Sequence, residues 1–486
     1  MTADALFSLL PLILLALTAV GLVLLIGFYR NLQLSFALAM GGLLLALVSL
    51  LPVAGVLPQQ ATPLLIMDSY ALFFSGLTLV TALLLLPLCH EHWRRQTSLN
   101  DEFYLLFLLA VMGALVLVAS NHFVSLFLGL ELLSLPLVIM VGYPFKPGFT
   151  PSLEAAVKYL VLSGAASAML LFGIALIYLH SGTLAFAPLE PGLIRLPGPQ
   201  NPLLLTGLIL ALAGIAFKLS LVPFHFWTPD VYQGAPLPAT ALLATLAKGA
   251  LFALLLRFYL LSEGYLIGPL VWALTLIAIA SMLAGNLLAL LQDNLKRLLA
   301  YSSIGHFGYL LVALLAVSQS LGTALAVEAV SYYLVAYLFS TLAAFAVLVR
   351  LSGEDREAET LEDCRGLFWR HPWLATTLTL AMLSLAGIPL TIGFVGKFYI
   401  FAAAVEESLW LVLLVVVIAS GIGLFYYLRV ILMMTHQDAG PESDEASAPH
   451  WSSHTVTGIL VAATLWFGVY PAPLITLIRH LTLAVN

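Results

Sequence analysis

The sequence predicts an all-helical polytopic membrane protein with about fourteen transmembrane helices. Of its 486 residues, 62% are hydrophobic and only 9% are charged, whereas a soluble domain carries roughly 25% charged residues. A globular protein with so few charges could not cover its apolar surface, so the bilayer must act as its solvent. Apolar runs of ~17–25 residues, long enough to cross a bilayer as a helix, recur along the whole chain.

The expected helices follow one another with short connections. In chain order the apolar runs cover roughly 5–29, 32–53, 69–89, 103–119, 122–142, 151–179, 202–224, 235–260, 268–291, 297–318, 322–350, 373–401, 409–432 and 454–479. The first run lacks the basic segment that precedes the core of a signal peptide, so it is expected to be a retained helix. The acidic, polar stretch 436–454 is expected to be a mobile cytoplasmic loop before the last helix.

The basic residues predict an orientation with both termini on the periplasmic side. Cytoplasmic loops collect Lys and Arg, and an N-terminus outside the cytoplasm puts most loop cations on the inner side. These inner cations are Arg30, Arg94, Arg95, Lys146, Lys296, Arg297, Arg350, Arg356, Arg365 and Arg370. An even number of helices returns the C-terminus to the outer side, and Arg195 is the main basic residue expected there.

The chain is expected to hold no redox cofactor and no metal. Its two cysteines, Cys89 and Cys364, are too few for an iron–sulfur cluster and lie far apart in the sequence. A glycine-rich phosphate loop after a strand is not found in the sequence. Any electron transfer is therefore expected in a partner protein, and no nucleic-acid partner is expected.

Four charged residues interrupt apolar runs, namely Glu131, Lys218, Lys248 and Lys397. A charge at the centre of a membrane helix costs about 2.5–3.5 kcal/mol on insertion scales, so four such charges cost on the order of ten kcal/mol. One glutamate cannot neutralise three lysines. A desolvated lysine without a counter-ion releases its proton readily, because burial disfavours the charged form. These residues are therefore candidates for a proton path, although a static Glu–Lys pair that only joins helices stays open.

Two histidines are further candidates for the path. His225 follows Lys218 by seven residues and would share its helix face if the helix continued. His306 lies in an apolar run and could equally be a hydrogen-bonded core residue. A neutral imidazole can pass a proton without the full penalty of a buried charge.

Other charged residues are expected near helix ends. The side chains of Arg257 and Arg429 are expected to reach the membrane interface, and Glu328 is expected to be solvated. Glu154 and Lys158, spaced i, i+4, can pair on one helix face. A role for this pair in the path is equally open.

Helix breakers lie in two of the charged runs. Pro223 follows Lys218, and Gly387 and Pro389 precede Lys397. Proline removes a backbone donor and clashes with the preceding turn, so within a membrane such a break survives only where it faces protein or water. Broken helices in corresponding positions of two halves are typical of a transporter's working site.

The spacing of these residues predicts an internal repeat. Glu131 precedes Lys218 by 87 residues, and His306 precedes Lys397 by 91 residues. The predicted organisation is 1–102 for helices 1–3, 103–260 for a first five-helix repeat, 261–435 for a second repeat, and 436–486 for the loop and last helix. Because five is an odd number, the second repeat must be inverted in the membrane, and two half-paths would meet through Lys248.

Several motifs resemble those of the antiporter-like membrane subunits of respiratory complex I. They are GLELLSLPL at 129–137, FKLSLVPFHFWTPDVYQGAP at 217–236, NLKRLLAYSSIGH at 294–306 and LAGIPLTIGFVGKFY at 385–399. The resemblance covers nearly the whole chain. A lysine rather than a glutamate at position 397 favours one member of this group of subunits. The short sequence after the last apolar run, which leaves little chain for a long lateral helix, favours the same member.

The resemblance implies a proton-translocating subunit of a bacterial inner-membrane enzyme, driven by quinone reduction elsewhere. By matching motif it implies that Glu131 and Lys218 form a modulating pair, Lys248 is the connecting lysine and Lys397 is the exit-side lysine. His225 and His306 match the polar axis. It also implies other membrane subunits as partners, with FMN and iron–sulfur clusters held elsewhere in the complex. A subunit of a cation/proton antiporter and a non-pumping spacer remain alternatives.

Overall fold

The computed structural model describes residues 3–95, 100–143, 150–187, 189, 201–318, 322–353, 356–436 and 451–482. Residues 437–450 of the loop predicted at 436–454 lie outside the described residues, whereas 451–454 begin a helix and not a loop. The first half contains helices α1 (Ala3–Ser8), α2 (Leu10–Phe28), α3 (Leu32–Val53), α4 (Ser69–Arg94), α5 (Glu102–Val118), α6 (Phe123–Val141), α7 (Thr150–Ser181), α8 (Pro202–Leu219), α9 (Trp227–Gly234), α10 (Leu237–Leu242) and α11 (Lys248–Leu261). The second half contains α12 (Gly268–Leu290), α13 (Leu295–Leu315), α14 (Gly322–Leu351), α15 (Leu367–Arg370), α16 (Pro372–Ala386), α17 (Ile392–Glu406), α18 (Trp410–Thr435), α19 (Trp451–Val469) and α20 (Ala472–Thr482).

The structure confirms a helical polytopic membrane protein. Within the described ranges, eleven helices are long and apolar enough to cross a membrane, or twelve if the bent pair α19–α20 forms one span. Helices α5 and α16 are shorter but apolar. The apolar run predicted at 454–479 contains a bend of 87° between α19 and α20. Pro471 lies at this bend, where its missing backbone donor interrupts the helical hydrogen bonds.

One small sheet departs from the predicted all-α fold. Strands β1 (Gln59–Thr62) and β2 (Leu65–Met67) form an antiparallel ribbon between α3 and α4. The backbone amide of Ile66 donates to the carbonyl of Ala119 over 2.9 Å, just after α5 ends. The ribbon thereby supplies a hydrogen-bond partner at the buried C-terminal end of that helix.

The core of the molecule lies around the helices of the central lysine. In each of the spans Leu237–Leu261, Leu295–Leu315 and Thr323–Leu351, 94% of an apolar stretch of 18 residues is buried. In Leu10–Phe28 the corresponding share is 28%. All four are apolar around their circumference, which is compatible with either a core or a lipid position. Packing decides between the two: α10, α11, α13 and α14 form the interior, and α2 stays on the periphery.

Glycines set the close approach of neighbouring helices. A Cβ atom on Gly173 of α7 would lie 2.5 Å from the backbone nitrogen of Ala211 in α8. A Cβ atom on Gly113 of α5 would lie 2.4 Å from the backbone nitrogen of Leu133 in α6. Small residues allow such backbone contact between membrane helices. The α7–α8 contact is the one that matters for the site, because both helices carry its polar side chains.

Ion pairs correct two predictions about helix-end charges. Arg257 does not reach the interface: its side chain is 2% exposed and donates to both carboxylate oxygens of Asp68, over 2.7 and 3.0 Å. Glu328 is not solvated but is 7% exposed and accepts two hydrogen bonds from Arg479. In both cases the charged group contacts a counter-ion that is distant in the sequence, and not the solvent or interface that the sequence suggested.

Candidate functional site

The first broken helix ends beside Lys218. Helix α8 stops at Leu219, and Ser220 has φ of 64° in the left-handed region, which turns the chain toward α9. The indole nitrogen of Trp227 donates to the carbonyl of Phe217 over 3.0 Å. This bond gives a carbonyl at the break a partner, as the low-dielectric surroundings require. Lys218 is thus held in the last turn of α8, next to irregular backbone.

Two serines of α7 stand between Glu131 and Lys218. The Lys218 ammonium donates to the Ser163 hydroxyl over 2.7 Å, and the Ser167 hydroxyl donates to the Glu131 carboxylate over 2.6 Å. In the part of the chain that the structure describes, no carboxylate oxygen lies within 4.0 Å of the Lys218 nitrogen. The expected pair is therefore not in direct contact. Each member bonds its own serine, and the two serines are spaced i, i+4 on one helix face.

His225 lies off the helix face that was expected to join it to Lys218. The break at Ser220 ends α8 five residues before His225, so that expectation is wrong. The imidazole is buried in the turn before α9 and lies 4.3 Å, ring to ring, from Phe226. The structure does not bring His225 into the hydrogen bonds around Lys218.

Lys248 lies at the centre of the molecule, where a π-helical turn, Leu243–Ala247, joins α10 to α11. Such turns are frequent at functional sites. The buried ammonium donates to the Ser303 hydroxyl over 2.7 Å and lies 5.5 Å from the ring centre of Tyr232. A small cavity reaches from Lys218 to this turn. Its lining includes Ser134, Tyr159, Leu243 and Ala247, the residue before Lys248.

At the second helix break, Lys397 itself donates a hydrogen bond to a backbone carbonyl. Helix α16 ends at Ala386, Gly387 has φ of 83°, and α17 begins at Ile392. The Lys397 ammonium donates to the carbonyl of Ala386 over 2.8 Å and to the Ser420 hydroxyl over 3.1 Å. It also lies 5.1 Å from the ring centre of Tyr309, a cation–π distance.

His306 lies in a cluster of tyrosines between Lys248 and Lys397. Its Nδ1 atom is 2.5 Å from the Tyr333 hydroxyl and its Nε2 atom is 2.9 Å from the Tyr427 hydroxyl. The Tyr427 hydroxyl is also hydrogen-bonded to Ser302. Nearby, Tyr426 donates to Asn286 over 3.0 Å. His306 is therefore a hydrogen-bonded core histidine, which does not conflict with a relay role.

A second charged cluster lies at one end of α13, apart from the candidate path residues. The Lys296 ammonium is 1% exposed and pairs with Glu357 and Glu359. Glu357 also accepts a hydrogen bond from the backbone of Leu237 at the start of α10, over 3.0 Å. Burial opposes the ionisation of Glu357, but the Lys296 ammonium beside it holds the pKa of Glu357 below its usual value. Lys296 was expected in a loop, but it ties the first broken helix to the second half of the chain.

The sequence pointed to the charged residues but to few of their partners. Ser163 and Ser167 could have been noticed, since they are spaced i, i+4 on one apolar helix. The tyrosines could not, because Tyr333 and Tyr427 come from α14 and α18, and no local pattern links either to His306. Exposure also differs along the line: Lys218, Lys248 and His306 are buried, whereas Glu131 and Lys397 are only partly buried.

The transmembrane family model described as NADH:quinone oxidoreductase/Mrp antiporter matches residues 120–423, which include every candidate site residue. NADH-quinone oxidoreductase subunit N from Methylococcus capsulatus is 48% identical over 475 residues, covering 98% of this chain and 95% of that protein. The chain belongs to the antiporter-like membrane subunits of NADH-quinone oxidoreductase, respiratory complex I. Within this family it is most like bacterial subunit N, the member that the lysine at 397 favours.

Solved structures share the fold over nearly the full length. A chain of respiratory complex I from Thermus thermophilus matches with a TM-score of 0.80 and 36% identity, over 96% of this chain and 98% of that one. A chain of the Mrp complex from a Dietzia species matches with a TM-score of 0.84 over 99% of this chain and 97% of that one. The Mrp chain is only 18% identical, so it shows a common fold and no more.

Proposed function

We propose that this chain is a proton-translocating subunit of the membrane arm of NADH-quinone oxidoreductase. The observation that carries the proposal is the line of titratable side chains through the core, Glu131, Lys218, Lys248, His306 and Lys397, in a member of this family. Three of these residues are lysines that bond neutral hydroxyls. A buried ammonium without a carboxylate is expensive, which favours a role for these lysines in proton transfer.

The proposed path starts at Glu131 and Lys218 and ends at Lys397. Quinone reduction elsewhere in the complex changes the electrostatic field along the membrane arm. When the Glu131 carboxylate moves away from Lys218, the ammonium loses a favourable interaction. Its size is below the about 4 kcal/mol of unit charges 4 Å apart at effective ε near 20, because the two groups are separated by more than that distance. Its proton then passes toward Lys248, and Lys397 releases a proton to the outer side.

The finer organisation belongs to the same proposal. Fourteen membrane helices would form the N-terminal group 1–102, two inverted repeats at 103–260 and 261–435, and the segment 436–486. In support, each repeat contains one broken helix with a left-handed residue at its end and a lysine beside it. Both termini would be periplasmic, and the bilayer would be that of a bacterial inner membrane.

The proposed partners are the other membrane subunits of the complex, including an antiporter-like neighbour. FMN and iron–sulfur clusters would be held by other subunits, which carry out the electron transfer. This chain would then be part of the enzyme without redox chemistry of its own. His225, buried in the turn after Lys218, is proposed as a further member of the path on the Lys218 side.

The test is Lys218→Ala in the assembled complex, with Lys158→Ala as its control. Lys158 is the exposed lysine of α7 and forms the expected i, i+4 pair with Glu154 at 2.7 Å. We expect Lys218→Ala to abolish proton translocation coupled to quinone reduction, while Lys158→Ala leaves it near normal. Proton pumping at the normal ratio to electron transfer in Lys218→Ala would refute the proposal and favour a spacer. Copurification without NADH dehydrogenase activity would favour an antiporter.

A further inference from the structure

Four buried side chains form one hydrogen-bonded row through the core. Ser302 bonds Tyr427, Tyr427 lies 2.9 Å from Nε2 of His306, and Nδ1 of His306 lies 2.5 Å from Tyr333. Each of the four is at most 3% exposed. Three separate helices supply them, α13, α14 and α18. We call this set, Ser302–Tyr427–His306–Tyr333, the hydroxyl–imidazole row.

The row has two arrangements that differ in the position of one hydrogen. A neutral imidazole carries a hydrogen on one ring nitrogen only, so one tyrosine must donate to His306 while the other accepts from it. Moving that hydrogen from one nitrogen to the other reverses every hydrogen bond in the row. Both arrangements contain the same number of hydrogen bonds and no net charge, so neither carries the penalty of a buried ion.

The two ends of the row lie near the two lysines. Ser302 is followed by Ser303, which accepts the hydrogen bond from Lys248 over 2.7 Å. At the other end, the Tyr333 ring packs on Gly396, the residue before Lys397. A Cβ atom placed on Gly396 would lie only 2.8 Å from that ring. The row therefore runs from the neighbour of the serine that bonds Lys248 to the tyrosine that packs on the residue before Lys397.

We propose that the hydroxyl–imidazole row carries the proton between Lys248 and Lys397, with Tyr427 and Tyr333 as relay residues. The Ser302 hydroxyl gives its hydrogen to the Tyr427 oxygen, Tyr427 gives its own to Nε2 of His306, and the Nδ1 hydrogen passes to Tyr333. Ser302 regains a hydrogen from the Lys248 side, and Tyr333 releases one toward Lys397. One bond to hydrogen forms for each that breaks, so a single proton crosses and the groups end neutral.

This inference rests on the proposed function and adds two residues to it. A purely structural role for the same hydrogen bonds would be to hold α13, α14 and α18 together. The two roles make different predictions, because a relay is interrupted by the loss of one hydroxyl anywhere along it. Packing contributions from separate contacts would instead combine.

The experiment uses the whole complex in membrane vesicles with Tyr427→Phe and Tyr333→Phe, each of which removes one hydroxyl and keeps the ring. We expect proton translocation to fall by on the order of tenfold or more in each. NADH oxidation by an acceptor that bypasses the membrane arm should stay normal, which measures assembly. The double variant should pump no worse than the poorer single variant.

Tyr332→Phe is the matched control on the same helix. Tyr332 is also buried, but its hydroxyl donates to the backbone carbonyl of Phe467 over 2.7 Å, outside the row. This variant should pump near the normal rate, because its hydroxyl is not part of the proposed row. The ratio of translocation rates in H₂O and D₂O should rise in Tyr427→Phe and stay unchanged in Tyr332→Phe, since only the former slows a proton-transfer step.

The outcomes separate the relay from the proposed function. Normal pumping in both single variants, or losses that multiply in the double variant with an unchanged isotope ratio, would overturn the relay. If Lys218→Ala does not pump while Tyr427→Phe and Tyr333→Phe do, the proposed function stands and only the row is rejected. If Lys218→Ala itself pumps normally, the failure belongs to the proposed function. Tyr333→Phe gives an independent reading should Tyr427→Phe not assemble.

Discussion

Each lysine of the proposed path bonds a serine hydroxyl. The partners of Lys218, Lys248 and Lys397 are Ser163, Ser303 and Ser420, respectively. A hydroxyl orients an ammonium without supplying a counter-charge, and it can take a proton from it only as it gives up its own hydrogen. At this scale the site is a set of lysines held in place but not neutralised.

Two buried cations outside the proposed path have a different kind of partner. Lys296 pairs with Glu357, and Arg257 pairs with Asp68. A buried cation with a bonded carboxylate stays ionised and fixes the helices it joins. The kind of partner therefore distinguishes the three lysines of the proposed path from these two cations.

Removing the Ser163 hydroxyl tests this reading. Hydrogen bonds to charged groups contribute about 1.5–3 kcal/mol, so Ser163→Ala should slow proton translocation by roughly tenfold or more. Ser163→Thr keeps the hydroxyl and should retain most of the rate. Pumping by vesicles that contain the assembled complex is the measurement. An equal loss in the alanine and threonine variants would show that the volume of the side chain matters and the hydroxyl does not.

At the scale of elements, the two broken helices share a turn but differ in how the break is closed. Ser220 and Gly387 both end a helix in the left-handed conformation. At the first break a tryptophan indole donates to a backbone carbonyl, whereas at the second break the ammonium of Lys397 does so. Lys218 is thus not needed to hold its own break, while movement of Lys397 must release the Ala386 carbonyl. This difference suits a first lysine that responds to its surroundings and a last one that gates release.

The contact between α7 and α8 holds Ser163 and Ser167 beside Lys218, and it depends on a missing side chain. Gly173→Ala would place a Cβ atom 2.5 Å from the backbone of Ala211, so we expect a loss of about 1–3 kcal/mol from overpacking. Gly164→Ala on the same helix is the control, because its Cβ atom would meet nothing within 4 Å. Thermal unfolding of the purified complex, together with its yield, measures both.

A destabilised Gly164→Ala variant would show that helix propensity or a partner subunit, and not the α7–α8 contact, governs the result. With Gly173→Ala alone affected, translocation should fall along with stability, since the serines of α7 would be displaced from Lys218. An unaffected Gly173→Ala variant would mean that the two helices can separate without consequence for the site.

At the scale of the whole molecule, ion pairs join parts of the chain that are far apart in sequence. Asp68 caps the start of α4 by accepting from the amide of Ala71 over 2.7 Å, and its carboxylate also binds Arg257 of α11. Arg479 of α20 binds Glu328 of α14 in the same way. The N-terminal helices and the C-terminal helix are thereby both attached to the buried core.

Breaking the Asp68–Arg257 pair should be more damaging than replacing it. Asp68→Asn keeps a capping side chain but leaves a buried arginine without a counter-ion, which costs about 3–5 kcal/mol. The double variant Asp68→Asn/Arg257→Met removes the isolated charge and should recover much of that loss. Denaturation of the purified complex provides the comparison. Equal stability of the single and double variants would contradict the assignment of this pair as a buried charge pair.

The sequence by itself determined the class of fold and the residues worth testing. Long apolar runs with few charges can be stable only in a bilayer, and a charge inside such a run is expensive wherever the helices pack. Glu131, Lys218, Lys248 and Lys397 could therefore be chosen before any contact was known. The breaks at Ser220 and Gly387 were predictable for a local reason, because proline and glycine act on their own turn.

Tertiary structure decided what each of these residues touches. The partners of His306 lie 27 and 121 residues away in the chain, and the counter-ion of Arg257 lies 189 residues away. Hydrogen bonds and ion pairs depend on distances of about 3 Å, which follow from how helices pack and not from the order of residues. For that reason the sequence could list charges in a membrane, while only the packed bundle separated those neutralised by carboxylates from those held by hydroxyl groups.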